Sequence, residues 1–114
     1  MEDKTNAKKV CADAISVFGE RFQILKAVEE HLELTIELVR YLVGKGDREH
    51  IVEELNDCLI TTEQLIMIFK ITRDELQKEK EKKIERLKAN IDGFKQSVSN
   101  RKANKRAGIK KNKK

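Results

Sequence analysis

The chain has 114 residues, 39% of them charged and 39% apolar, with five glycines, no proline and no tryptophan. That length allows one modest core, and the shortage of turn residues excludes a strand-rich protein, so an all-α fold that gains burial by self-association is expected. The net charge of +5 belongs to the tail, since residues 1–94 hold 16 basic against 20 acidic side chains and residues 95–114 hold 9 basic and no acid, which argues against the basic face of a folded nucleic-acid reader.

A first helix is expected over about residues 6–18, ended by Gly19. It carries Cys11, which with Cys58 makes a pair lacking any C-x-x-C or Cys/His cluster, so neither a zinc site nor a disulfide scaffold is expected and a reducing cytosol fits. A charged N-terminus, and a longest apolar stretch near Leu65 to Phe69 that is far short of the roughly 20 residues of a membrane span, predict a soluble, cytoplasmic protein.

The second helix, about 22–43, has a main apolar stripe of Val28, Leu32, Ile36, Val39 and Val43, with Glu30, Glu33 and Glu37 roughly opposite, as on an ordinary solvated face. Leu34, Leu38 and Tyr41 lie outside that stripe and would let the helix be covered on both sides, by its neighbours or by another subunit. Gly44-Lys45-Gly46-Asp47 stops it, with glycines permitting the turn and Asp47 placed to cap a third helix over about 48–69. On the third helix Glu54 and Asp57 share a stripe with Thr61, Leu65 and Ile68, the face expected to be buried. Thr72-x-x-Glu75 has the form of a capping box for a fourth helix over about 73–95. There Leu76, Leu87 and Phe94 define an apolar stripe in which Lys80 and Lys83 would project inward, and Ile84, Leu87, Ile91 and Phe94 have heptad-like spacing suited to packing. Short connections predict an antiparallel four-helix bundle over residues 1–96, assembled as a homo-oligomer. The run 97–114 is basic and nearly without apolar residues, which predicts a disordered tail.

The chemistry lies in two i,i+3 acidic pairs, Glu30 with Glu33 and Glu54 with Asp57, each aimed from one helix face and separated by residues 34–53. One like-charge pair at about 4 Å costs roughly 4 kcal/mol at an effective dielectric of 20, so four carboxylates on adjacent helices call for a bound cation. Mg²⁺ suits them, because it takes oxygen ligands and leaves positions for phosphate oxygens. His31 and His50 read as surface residues and Cys58 as a small packed side chain. No G-x-x-x-x-G-K-[ST] loop or dinucleotide fingerprint is present, so phosphate binding by a glycine cradle in those forms is excluded.

The order Glu29-Glu30-x-x-Glu33, a gap of twenty residues, then Glu54-x-x-Asp57 resembles the signature of the MazG-like, all-α nucleoside triphosphate pyrophosphohydrolases. Gln23, the Gly44-Lys45-Gly46-Asp47 turn, Glu53-Glu54-Leu55-Asn56-Asp57, Glu63-Gln64-Leu65 and Lys83-x-x-Arg86-Leu87 are similar to small stand-alone members in order and spacing, over about residues 18–90. Asn56 and Cys58 depart from the small or aliphatic residues commoner there. The resemblance implies Mg²⁺-dependent (or Mn²⁺-dependent) hydrolysis of a nucleoside triphosphate between its α and β phosphates, releasing a monophosphate and pyrophosphate. It also implies Glu30, Glu33, Glu54 and Asp57 as metal ligands, Glu29 as an accessory acid or proton acceptor, Lys83 and Arg86 on the polyphosphate, and Gln23 on ribose or base. The rival expectation is a non-catalytic helical oligomer that binds nucleic acid through its basic tail, although the chain lacks the aromatic platform of a single-strand binder.

Overall fold

The computed structural model describes residues 6–112, with side chains described as far as Gly108. Its regular structure is entirely α-helical among the described residues: α1 (Ala7–Phe18), α2 (Glu20–Leu42), α3 (Arg48–Ile68) and α4 (Arg73–Asn112). The chain divides into two compact units, the first ending at Thr72 and the second starting at Arg73. No described helix is long and apolar enough to cross a membrane.

In the first unit, local chemistry sets the helix ends. The Asn6 side chain accepts from the Lys9 backbone N–H at 3.3 Å and caps α1. Asp47 caps α3, accepting from the His50 N–H at 2.9 Å, and this bond holds its carboxyl below the usual carboxylate range. Between α2 and α3 the chain turns so tightly that a Cβ on Gly46 would lie 2.8 Å from the backbone nitrogen of Tyr41, an approach only glycine permits. The expected start of α1 and the turn after α2 thus agree with the structure to within a residue or two.

α1, α2 and α3 pack against one another, most extensively α2 with α3. These two run antiparallel: the Cys58 thiol donates to the Glu30 carbonyl at 3.3 Å, and Glu33 meets Glu54 farther along the seam. Among the described residues, the buried apolar ones are the small Cys11, Ala27 and Cys58, and the buried polar ones are Gln23, Glu30, Thr61 and Gln64. Small side chains let the helix backbones approach closely, leaving the longer polar ones to fill the seam. The apolar stripe therefore does not mark the inward face of α2 within the chain. Its acidic side, with Glu30 buried and Glu33 and Glu37 half-buried, faces inward, whereas Val28, Leu32, Ile36, Val39 and Val43 are each more than half exposed.

The second unit is α4, 40 residues long. The expected loss of order from residue 97 is not what the structure has, since the helix continues through Asn112; residues 113–114 lie outside the described residues. Lys, Arg and Ala, including Ala103 and Ala107, are strong helix formers, and cations near a helix C-terminus interact favourably with its dipole. Gln96 donates to Asn100 at 3.2 Å one turn on. Lys80 and Lys83, expected to project inward, are exposed on this helix, as are Leu76, Ile84, Leu87, Ile91 and Phe94.

Candidate metal centre

Three glutamates meet at the α2–α3 seam. Carboxylate oxygens of Glu30, Glu33 and Glu54 all lie within 4.8 Å of one another. The spacing of Glu30 and Glu33 places both on one side of α2, and the antiparallel register brings Glu54 opposite them. Asp57, one turn along α3 from Glu54, lies outside that trio but beside Glu30, with which it lines a shared recess.

The environment is costly for negative charge. One oxygen each of Glu30 and Glu54 is sealed from solvent without a hydrogen-bond partner, and so is one of Glu37, farther along α2. Buried anionic oxygens left unpaired are strongly disfavoured. Burial, reinforced by the Glu30 and Glu54 charges, pushes the Glu33 carboxyl above its usual range. Burial and neighbouring Glu30 do the same to Asp57. Among the described residues Glu30 pairs with Lys26, whose ammonium lies 3.1 Å from the other Glu30 oxygen and whose own pKa is raised by that hydrogen bond. One lysine therefore answers one oxygen of a group of carboxylates. Hard oxygen donors with unmet electrostatic demand fit Mg²⁺ or Mn²⁺, and the residues present pass that test.

The other expected site residues are distributed as follows. Glu29 is exposed, 3.7 Å from Lys26. Gln23 is buried, only 5% exposed, beside the recess that Glu30 and Asp57 border. Lys83 and Arg86 are exposed residues of α4 in the second unit, whereas the carboxylate group is built by the first unit alone. His31 is exposed, with Nδ1 2.8 Å from the Ala27 carbonyl, and burial pushes the Cys58 thiol up, which leaves it protonated and unreactive at neutral pH. Lys26, Glu37 and Gln64 were given no role from the sequence. Glu37 repeats Glu30 at i+7 and Gln64 repeats Asp57 at i+7, so each was marked by the same periodicity that singles out the four acids.

Comparison of the chain with family models, with curated proteins and with solved structures finds no match. The functional reading accordingly rests on the residues and their geometry.

Proposed function

We propose that this chain is a MazG-like nucleoside triphosphate pyrophosphohydrolase that works as a cytoplasmic homo-oligomer and removes particular nucleotides from the pool. The observation that carries the proposal is the meeting of Glu30, Glu33 and Glu54, with sealed, unpartnered oxygens on Glu30 and Glu54. Such a group is relieved by protonation or by positive charge beside it, and a divalent cation that also holds polyphosphate oxygens would supply that charge at neutral pH. Glu30, Glu33, Glu54 and Asp57 would hold Mg²⁺ or Mn²⁺, which contributes charge neutralisation at phosphate and a more acidic water.

The protein's own part is positioning. The helices α2 and α3 fix the carboxylates at their seam. Glu29 is assigned to accept a proton from the attacking water. Lys83 as a point charge and Arg86 as a bidentate donor are assigned to the leaving pyrophosphate. Oligomerisation is supported by the exposed apolar stripe of α2 and the exposed Ile84, Leu87, Ile91 and Phe94 of α4, for which a second copy in a four-helix assembly is the natural cover.

The test is incubation with a panel of ribo- and deoxyribonucleoside triphosphates, with Mg²⁺, with Mn²⁺ and with chelator, resolving monophosphate and pyrophosphate from diphosphate and phosphate. Metal-dependent release of monophosphate and pyrophosphate is expected, and Glu54→Gln should lower the rate at least about 100-fold. Orthophosphate as first product, or equal activity in chelator, would overturn the assignment.

A further inference from the structure

Beside the carboxylates, the first unit contains a recess of about 280 Å³ whose lining includes residues of α1, α2 and α3. Its floor is unusual. Gln23 and Gln64 are each only 5% exposed, yet among the described residues neither side-chain amide has a hydrogen-bond partner. Neither amide is sealed from solvent, unlike the orphaned carboxylate oxygens of Glu30 and Glu54, and both residues line the recess. Amides open to solvent take their hydrogen bonds from water, and a ligand that displaces that water must supply matching donors and acceptors. By contrast, Thr61, also buried there, is satisfied locally: its hydroxyl is within hydrogen-bonding distance of the Asp57 and Cys58 carbonyls, at 3.0 and 3.1 Å. The hydrogen-bonding capacity left for a ligand is thus concentrated in two carboxamides, each with an adjacent donor and acceptor.

The mouth is aromatic. Phe18 and Phe22 have ring centroids 5.4 Å apart with planes tilted by 35°, and both remain more than half exposed, so ring surface is available to a flat ligand. Glu30 belongs both to the glutamate cluster and to the recess wall, where Asp57 joins it. A ligand filling the recess therefore begins where a cation-bound polyphosphate would end. The recess lies just below the range for ligand cavities, about 300–1,000 Å³, and suits one ring system better than a whole nucleotide.

We propose that this recess is the nucleobase pocket, in which the Gln64 and Gln23 amides hydrogen-bond the base edge while Phe18 and Phe22 cover its face. The assignment rests on the nucleotide reading of the neighbouring carboxylates and deepens it, making Gln64 the residue that determines base preference. A planar heterocycle with alternating donors and acceptors matches paired carboxamides, whereas inorganic polyphosphate, with acceptors alone, would leave the amide oxygens unanswered.

The experiment compares the full-length protein with Gln64→Leu and Gln64→Glu. Helicity and melting temperature serve as folding controls. For each protein, kcat and KM are measured on four nucleoside triphosphates, and binding is measured for inorganic tripolyphosphate and for the nucleoside monophosphates in Mg²⁺. The expected result for Gln64→Leu is a 10- to 100-fold loss in kcat/KM for the preferred base, mainly in KM, with tripolyphosphate binding changed less than about twofold. Gln64→Glu, which loses the donor and keeps acceptors, should reorder the preference among bases. Unchanged base preference in both folded variants, or an equal loss for nucleotides and tripolyphosphate, would overturn the pocket. If the wild-type protein cleaves no nucleotide, the enzyme reading fails and monophosphate binding decides the pocket. Binding that Gln64→Leu abolishes supports it, and absent or unaltered binding rejects it.

Discussion

At the scale of single residues, the carboxylates of Glu33 and Asp57 set a pH dependence whose sign follows from their direction of shift. Both are raised, by burial first and then by neighbouring acids, so each binds its proton more tightly in the folded chain than in the unfolded one. Between the ordinary carboxylate value and the raised one, the folded state holds more protons, and stability falls as pH rises through that window. Asp47 acts in the opposite sense and lower down: its bond from the His50 N–H depresses its pKa, and that stabilisation is lost only as pH falls through the depressed value. The metal-free protein should therefore melt at a higher temperature near about pH 5 than near about pH 8, and saturating Mg²⁺ should flatten or reverse the difference. Thermal melts with chelator and with Mg²⁺ check this, with Asp57→Asn as the variant expected to weaken the slope. A metal-independent profile would mean that these are ordinary solvated charges. The sequence made Glu54 and Asp57 legible because they share a helical stripe with Thr61 and Leu65. For Glu30 and Glu33 two signals conflicted: their spacing marked them as ligands, whereas a stripe as apolar as Val28, Leu32, Ile36, Val39 and Val43 normally marks the inward face.

At the scale of elements, the turn between α2 and α3 fixes the register that brings Glu54 opposite Glu30 and Glu33. Gly46 is the constraint: a methyl group there would meet backbone, at 2.8 Å from the Tyr41 nitrogen and 3.2 Å from the Glu37 carbonyl oxygen, not a flexible side chain that could move aside. Gly46→Ala should destabilise the first unit by about 1–3 kcal/mol, as overpacking does elsewhere. For a unit of this size that lowers the melting temperature by roughly 4–8 °C per kcal/mol, and reduced Mg²⁺ affinity should accompany it as the seam shifts. A variant that melts and binds metal like the parent would show that the turn tolerates displacement. Caps and glycine stops made these boundaries readable, since they act through local hydrogen bonds and φ preferences. The far end of α4 was not readable in the same way. High like charge predicts disorder by denying a segment a core, but helix propensity and the dipole favour a continuous helix through Asn112 without one.

At the scale of the whole molecule, the distribution of apolar surface is the strongest constraint on how the protein exists in solution. The described core contains small and polar residues, while Leu32 and Ile36 are 58% and 57% exposed in the middle of an apolar stripe. Charge alone offers a competing means of association, because residues 1–72 hold 9 basic and 14 acidic side chains and residues 73–114 hold 16 basic and 6 acidic. The two means respond differently to salt. Contacts between opposite charges weaken as the Debye length contracts from about 10 Å at 0.1 M to about 3 Å at 1 M, whereas apolar association persists. An assembly built on the α2 stripe should therefore survive 1 M salt and dissociate in the double variant Leu32→Glu, Ile36→Glu, giving the 13.2 kDa monomer by light scattering. Since both side chains already project from the first unit, that variant should retain its helicity. A wild-type protein that is monomeric at micromolar concentration, or one that salt alone dissociates, would remove the α2 face from the assembly and leave its apolar stripe without a partner.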